Sequence, residues 1–97
     1  MRKYELMLIL NPLLGDAGAA TFLGEVKSEL EAVGVKIEKE DIWGVRDLAY
    51  KINNSPTGYY VLYTLGLEKG NFFSVIKSFN LKKDMWRHMF VRLESAE

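Results

Sequence analysis

Two stretches hold most of the side chains in this 97-residue chain that could do chemistry. They are Trp43-Gly44-Val45-Arg46-Asp47-Leu48-Ala49-Tyr50-Lys51-Ile52 and, after a turn, Gly58-Tyr59-Tyr60-Val61-Leu62-Tyr63. The chemistry they offer is recognition. Aromatic and apolar groups set beside arginine suit a partner whose own surface is part apolar and part phosphate. Residue types used in catalysis occur elsewhere, but without the spacing catalysis needs. His88 is the single histidine, there is no cysteine, and no metal-ligand spacing surrounds it, so packing or a hydrogen bond is its expected role. Ser55, Ser74 and Ser78 sit in no nucleophile motif, and Gly15, Gly18, Gly24, Gly66 and Gly70 form no phosphate-binding loop. The expectation is a binding protein and not an enzyme, with no cofactor, no metal and no small-molecule substrate.

The elements that must position these residues follow from periodicity. Tyr4 to Leu10 is a compact apolar run stopped by Asn11-Pro12, the mark of a strand buried on both faces at the centre of a sheet. Ala19, Phe22 or Leu23, Val26, Leu30 and Val33 recur at helical spacing between a possible N-cap, Asp16, and a stop at Gly34. Val35, Ile37 and the segment from Ile42 to Ile52 predict a long second strand, with Gly44 marking a bulge or a close backbone approach. Asn53-Asn54-Ser55-Pro56-Thr57-Gly58 predicts a loop that joins it to a third strand, Tyr59 to Leu67. Phe72, Val75, Ile76 and Phe79 give a second amphipathic helix to about Asn80, and Met85 to Leu93 a fourth strand. The order is βαββαβ. This predicts an α+β, ferredoxin-like single domain over 1–97, a four-stranded antiparallel sheet with two helices on one face. The expected spatial order of the strands is fourth, first, third, second.

Composition agrees with one soluble globular unit: 48% hydrophobic and 27% charged residues, with 13 basic and 13 acidic side chains that cancel. Zero net charge argues against holding nucleic acid by overall attraction alone. The charges are unevenly distributed. Lys77, Lys82, Lys83, Arg87 and Arg92 face a single acid, Asp84, over the last part of the chain, with Arg2 and Lys3 at the other end. The absence of cysteine fits a cytosolic address. The longest apolar run, Leu6 to Leu10, is too short to cross a bilayer, so no membrane partner is expected.

If both helices cover one face, the other should alternate polar residues outward, yet Met7, Ile9, Tyr60 and Leu62 would point there. An apolar, aromatic patch of that kind calls for a protein or nucleic-acid partner, or for a long loop or a second copy to cover it.

The opening Met1-Arg2-Lys3-Tyr4-Glu5, the Trp43 to Ile52 segment, Gly58-Tyr59-Tyr60, and Arg87 with Arg92 resemble the bacterial ribosomal protein S6 family over nearly the whole chain. Lys51 stands where that family usually has proline, and Asp47 where a basic residue is common. The resemblance implies a structural constituent of the cytoplasmic small ribosomal subunit, bound to the central domain of its RNA together with ribosomal protein S18. It also implies RNA contacts at Arg2, Tyr4, Arg87 and Arg92, and partner-protein contacts at Arg46, Tyr50, Tyr60 and Leu62. Arginine can fork to phosphate or a base edge and Tyr4 can stack on an unpaired base. Arg87 and Arg92 are five residues apart, so in a regular strand they point to opposite faces, roughly 17 Å from each other. The acidic end, Glu94-Ser95-Ala96-Glu97, is expected to point away from RNA or toward basic groups of the partner. Two alternatives stay open on the same scaffold: a free-standing single-stranded RNA binder of RNA-recognition-motif type, and a small regulatory or ligand-binding domain.

Overall fold

A computed structural model describes residues 2–93, so the reading of the acidic end at 94–97 lies outside the described residues. Strand β1 (Arg2–Leu10) leads through a 3-10 turn, Pro12–Leu14, into helix α1 (Gly15–Ala32). Strands β2 (Lys36–Ile52) and β3 (Ser55–Leu67) form a hairpin, and helix α2 (Phe73–Leu81) returns the chain to β4 (Met85–Leu93). All pairings are antiparallel and the sheet order is β2-β3-β1-β4, the ferredoxin-like βαββαβ arrangement the periodicity predicts.

The core lies entirely on the helix side of the sheet. Leu6, Leu8 and Leu10 of β1 and Tyr59, Val61, Tyr63, Leu65 and Leu67 of β3 are buried there with Ala19, Leu23, Val26 and Leu30 of α1 and Val75 and Phe79 of α2. The strand residues alternate in twos and the α1 residues recur in threes and fours, so both periods aim their apolar sets at one layer. Each fully buried leucine or phenylalanine contributes about 1.5–3 kcal/mol of transfer free energy. No polar or charged side chain is buried among the described residues, and the tyrosine hydroxyls reach partners at the rim of the core. Tyr63 Oη donates to Glu40 Oε2 at 2.7 Å, and Tyr59 Oη donates to Asp16 Oδ1 at 3.0 Å.

The structure differs from the sequence reading at two places, the start of α1 and the β2–β3 tip. Asp16 does not cap α1, because the chain enters the helix directly from the 3-10 turn. That turn has its own cap in Asn11, whose Oδ1 accepts from the Leu13 amide at 3.0 Å. Asp16 instead sits in the first helical turn, where its charge complements the helix dipole. The six-residue loop expected between β2 and β3 is only a two-residue turn, Asn53-Asn54, with φ of 50° and 63°. Positive φ at both central residues matches the right-handed twist of the flanking strands, and asparagine tolerates it. Ser55, Pro56, Thr57 and Gly58 therefore belong to β3. The pairing passes from Asp47 with Thr57 to Ile52 with Ser55, leaving Leu48 to Lys51 opposite Pro56 alone in a wide irregularity where proline's missing N–H costs little. Gly44 does mark a bulge, with φ of +77° and a register shift between Ile42 and Gly44.

Candidate partner and nucleic-acid interfaces

Register across the four strands lays out the sheet face away from the helices as rows. One row runs Gly44, Tyr60, Ile9, Arg87; the next Asp41, Leu62, Met7, Met89; the third Lys39, Thr64, Glu5, Val91. The first two rows are largely apolar, and they adjoin Trp43, whose ring stacks on Tyr60 with centroids 6.2 Å apart and 9° between planes. Beyond them the surface turns polar and pairs its own charges, Lys39 with Asp41 at 3.6 Å and Lys3 with Glu38. The described chain covers the apolar half only in part: Met7, Ile9, Tyr60 and Leu62 are half-buried, while Met89 is 56% exposed and Trp43 43%.

The unpaired segment of β2 gives this half its shape. Freed from the ladder, Leu48, Ala49 and Tyr50 curl toward the sheet face and, with the paired Ile52, wall a groove of about 210 Å³. Met7 and Ile9 of β1, Tyr60 of β3 and Arg87 and Met89 of β4 line it opposite Leu48 and Tyr50. Gly58 makes the approach possible. A Cβ there would lie 2.5 Å from Ile9 Cγ2 and 3.3 Å from Leu48 Cδ2. Periodicity alone could not find this groove, since Leu48 and Tyr50 line it only through the irregular tip of β2. The sequence signals were the glycine in a strand and the proline beside the turn.

The expected partner-protein residues gather on this face. Tyr50, 70% exposed, and Tyr60 line the groove; Leu62 lies in the adjoining row; Arg46, opposite Gly58, is exposed beyond it. The four expected RNA residues divide. Arg2, Tyr4 and Arg92 come together on the helix side at the β1–β4 end, where Tyr4 is paired with Arg92. Tyr4 packs edge-on against Phe72 with centroids at 4.9 Å, and Arg2 Nη2 donates to the Gly70 carbonyl at 2.8 Å, tethering the loop before α2. Arg92 is exposed and has no ion-pair partner among the described residues. Arg87 stands apart on the other face, in the row with Tyr60 and Ile9.

Titratable groups of the helix side serve the fold. Burial pushes the Tyr63 and Tyr59 hydroxyls up, and the acceptors Glu40 and Asp16 add to it, so both stay protonated donors. Burial would raise the Glu29 carboxyl, but hydrogen bonds from Lys82 and Ser78 outweigh it and hold the group below its ordinary value. That ion pair pins α1 to the turn after α2. His88 points into the helix side, ring edge toward Phe79, and is lowered by burial. No cluster of acidic and histidine side chains able to hold a metal ion occurs among the described residues, and no helix among them is long and apolar enough to cross a membrane.

A ferredoxin-like sheet that keeps its helix side for packing and presents an apolar, aromatic half-face with flanking arginines defines a protein that works by binding. Comparison with known proteins gives the family. The family model for ribosomal protein S6 matches residues 3–92. Small ribosomal subunit protein bS6 of Fusobacterium nucleatum is 34% identical over 92 residues, covering 95% of this chain and 98% of its own length. The bS6 protein of Dictyoglomus turgidum is 28% identical with full coverage of both chains. The crystal structure of 30S ribosomal protein S6 from Thermotoga maritima superposes with a TM-score of 0.89 at 24% identity, over 95% of this chain and 87% of that one, and shares its fold. The chain belongs to the ribosomal protein S6 family, whose members are ribosomal structural proteins and not enzymes.

Proposed function

We propose that this protein binds the central domain of small-subunit ribosomal RNA jointly with ribosomal protein S18, which covers the apolar half of its sheet. Family membership makes the chain a structural constituent of the small subunit of the cytoplasmic bacterial ribosome. The finer reading is carried by one observation: a chain of zero net charge leaves the rows through Tyr60, Ile9, Leu62, Met7 and Met89 only partly covered, with Met89 exposed. A neutral protein gains little from counterion release by itself, whereas a basic partner seated on the apolar face adds phosphate contacts and buries that face at once. Arg2, Tyr4 and Arg92, clustered at the far end and on the other side, are free of the partner and form the proposed RNA contact.

Titration of the ribosomal RNA with this chain alone and with S18 present tests the reading. The expected result is weak affinity alone and a gain of about tenfold or more with S18, with a steeper salt dependence in the joint complex. Equal affinity in the two titrations would remove it. Tight binding of short single-stranded RNA without any protein would favour the RNA-recognition-motif alternative instead.

A further inference from the structure

We infer that the groove on the free face takes one large apolar side chain of S18 and that Arg87 beside it grips a carboxylate of the same segment. This rests on the joint-binding reading above and adds to it the chemistry of the contact.

Size decides the first half. Small-molecule pockets run to about 300–1,000 Å³, so a groove of about 210 Å³ is short for a free ligand but suits a side-chain anchor. Met7, Ile9, Leu48, Ile52 and Met89 make most of its lining aliphatic or thioether, and its polar groups come from Tyr50, Tyr60, Arg87 and His88. The aromatic ring best placed to stack a base, Tyr60, already has Trp43 lying parallel to it. A mostly apolar cleft of this size suits an apolar side chain better than a base edge, which is read through hydrogen bonds.

Charge decides the second half. Lys3 and Lys39 of this face pair with Glu38 and Asp41, whereas Arg87, like Lys36 and Arg46, makes no ion pair among the described residues, and of these three it alone lines the groove. Glu5 lies on the same face four residues along β1 from the Ile9 that pairs with Arg87, roughly 13 Å of strand away, and makes no ion pair with it. Arg46 is also without an ion pair among the described residues and lies beyond the groove across Gly58. A protein segment that fills the groove takes Arg87 out of water, and a guanidinium desolvated without a partner is strongly unfavourable. A carboxylate close to the anchor resolves this through two parallel N–H donations from the planar fork.

The test uses the whole chain with S18 of the same organism, measuring their affinity by calorimetry. Arg87→Met keeps the apolar stem and removes the charge; it is expected to weaken S18 binding about tenfold, with Arg87→Lys intermediate and Lys77→Met, the same charge change on α2 at the helix side, without effect. Replacing each Asp and Glu of S18 by its amide is expected to show one position whose loss is not additive with Arg87→Met. Arg87 lies exposed on an edge strand, so the variants should fold, and melting curves check this. Wild-type affinity for S18 in Arg87→Met, or the lack of any coupled carboxylate, would overturn the inference while leaving joint binding standing. An Arg87→Met defect seen only in RNA affinity would overturn it in favour of a nucleic-acid contact. A wild-type chain with no affinity for S18 would remove both readings.

Discussion

His88 shows how much a single residue's surroundings decide. As the single histidine with no metal-ligand spacing around it, it is expected to pack or hydrogen-bond, and alternation in β4 turns it to the helix side to do so. There its Nε2 lies 3.1 Å from Asn80 Oδ1 and its ring lies edge-on to Phe79. Burial holds its pKa below the ordinary histidine value, so the folded chain takes up the imidazole proton less readily than the unfolded chain. The stability tied to this group is complete above the unfolded value and is lost as pH falls from about 6.5 toward the lowered folded value. Melting temperature is expected to be lower at about pH 5.5 than at about pH 7.5, and His88→Gln should flatten that slope. An unchanged slope in the variant would assign it to other groups. At this scale the parity of Arg87 and Arg92 was legible: five residues apart, they do face opposite ways. What each face serves was not, because that depends on which strands flank it.

Among the elements, the β2–β3 hairpin carries most of the site and was the least legible part of the chain. Both helices, β1 and the strand order follow from apolar period, since their buried faces are regular. The hairpin tip has no regular period: the bulge at Gly44 resets which residues face outward, and Leu48 to Lys51 leave the ladder altogether. Turn formers at Ser55, Pro56 and Gly58 suggested a loop, whereas each has a place in the strand. Gly58 is there for space. Its φ is not in the left-handed region, yet a Cβ would meet the β-branched Ile9 at 2.5 Å, so the tip must lift to admit it. Gly58→Ala is expected to destabilise the fold by about 1–3 kcal/mol, the usual cost of forcing an extra group into a packed contact. It should also weaken S18 binding by opening the groove, although residue 58 touches no partner. Calorimetric melting and S18 titration check both effects, and a variant with unchanged affinity would mean that the tip does not shape the contact.

The whole molecule packs its core on one side of the sheet and leaves an apolar half on the other, so the two proposed binding events are separable. Every buried strand residue of β1 and β3 that belongs to the core faces the helices, so stability resides on that side, while the opposite apolar half contributes little to folding and stays available. Met89 lies at the edge of that half, in the row with Met7 and Leu62, and is more than half exposed. An acidic replacement there meets little of this chain's own packing, so Met89→Asp is expected to change stability by no more than about 0.5 kcal/mol. Bound S18 would have to bury that new carboxylate against an apolar surface, and its affinity should fall about tenfold or more. RNA affinity should then drop only when S18 is in the mixture, because Arg2, Tyr4 and Arg92 lie on the other side of the sheet and are untouched. If Met89→Asp instead weakened RNA binding by the chain alone, the nucleic acid itself would lie on the free face and the two tasks would share one surface.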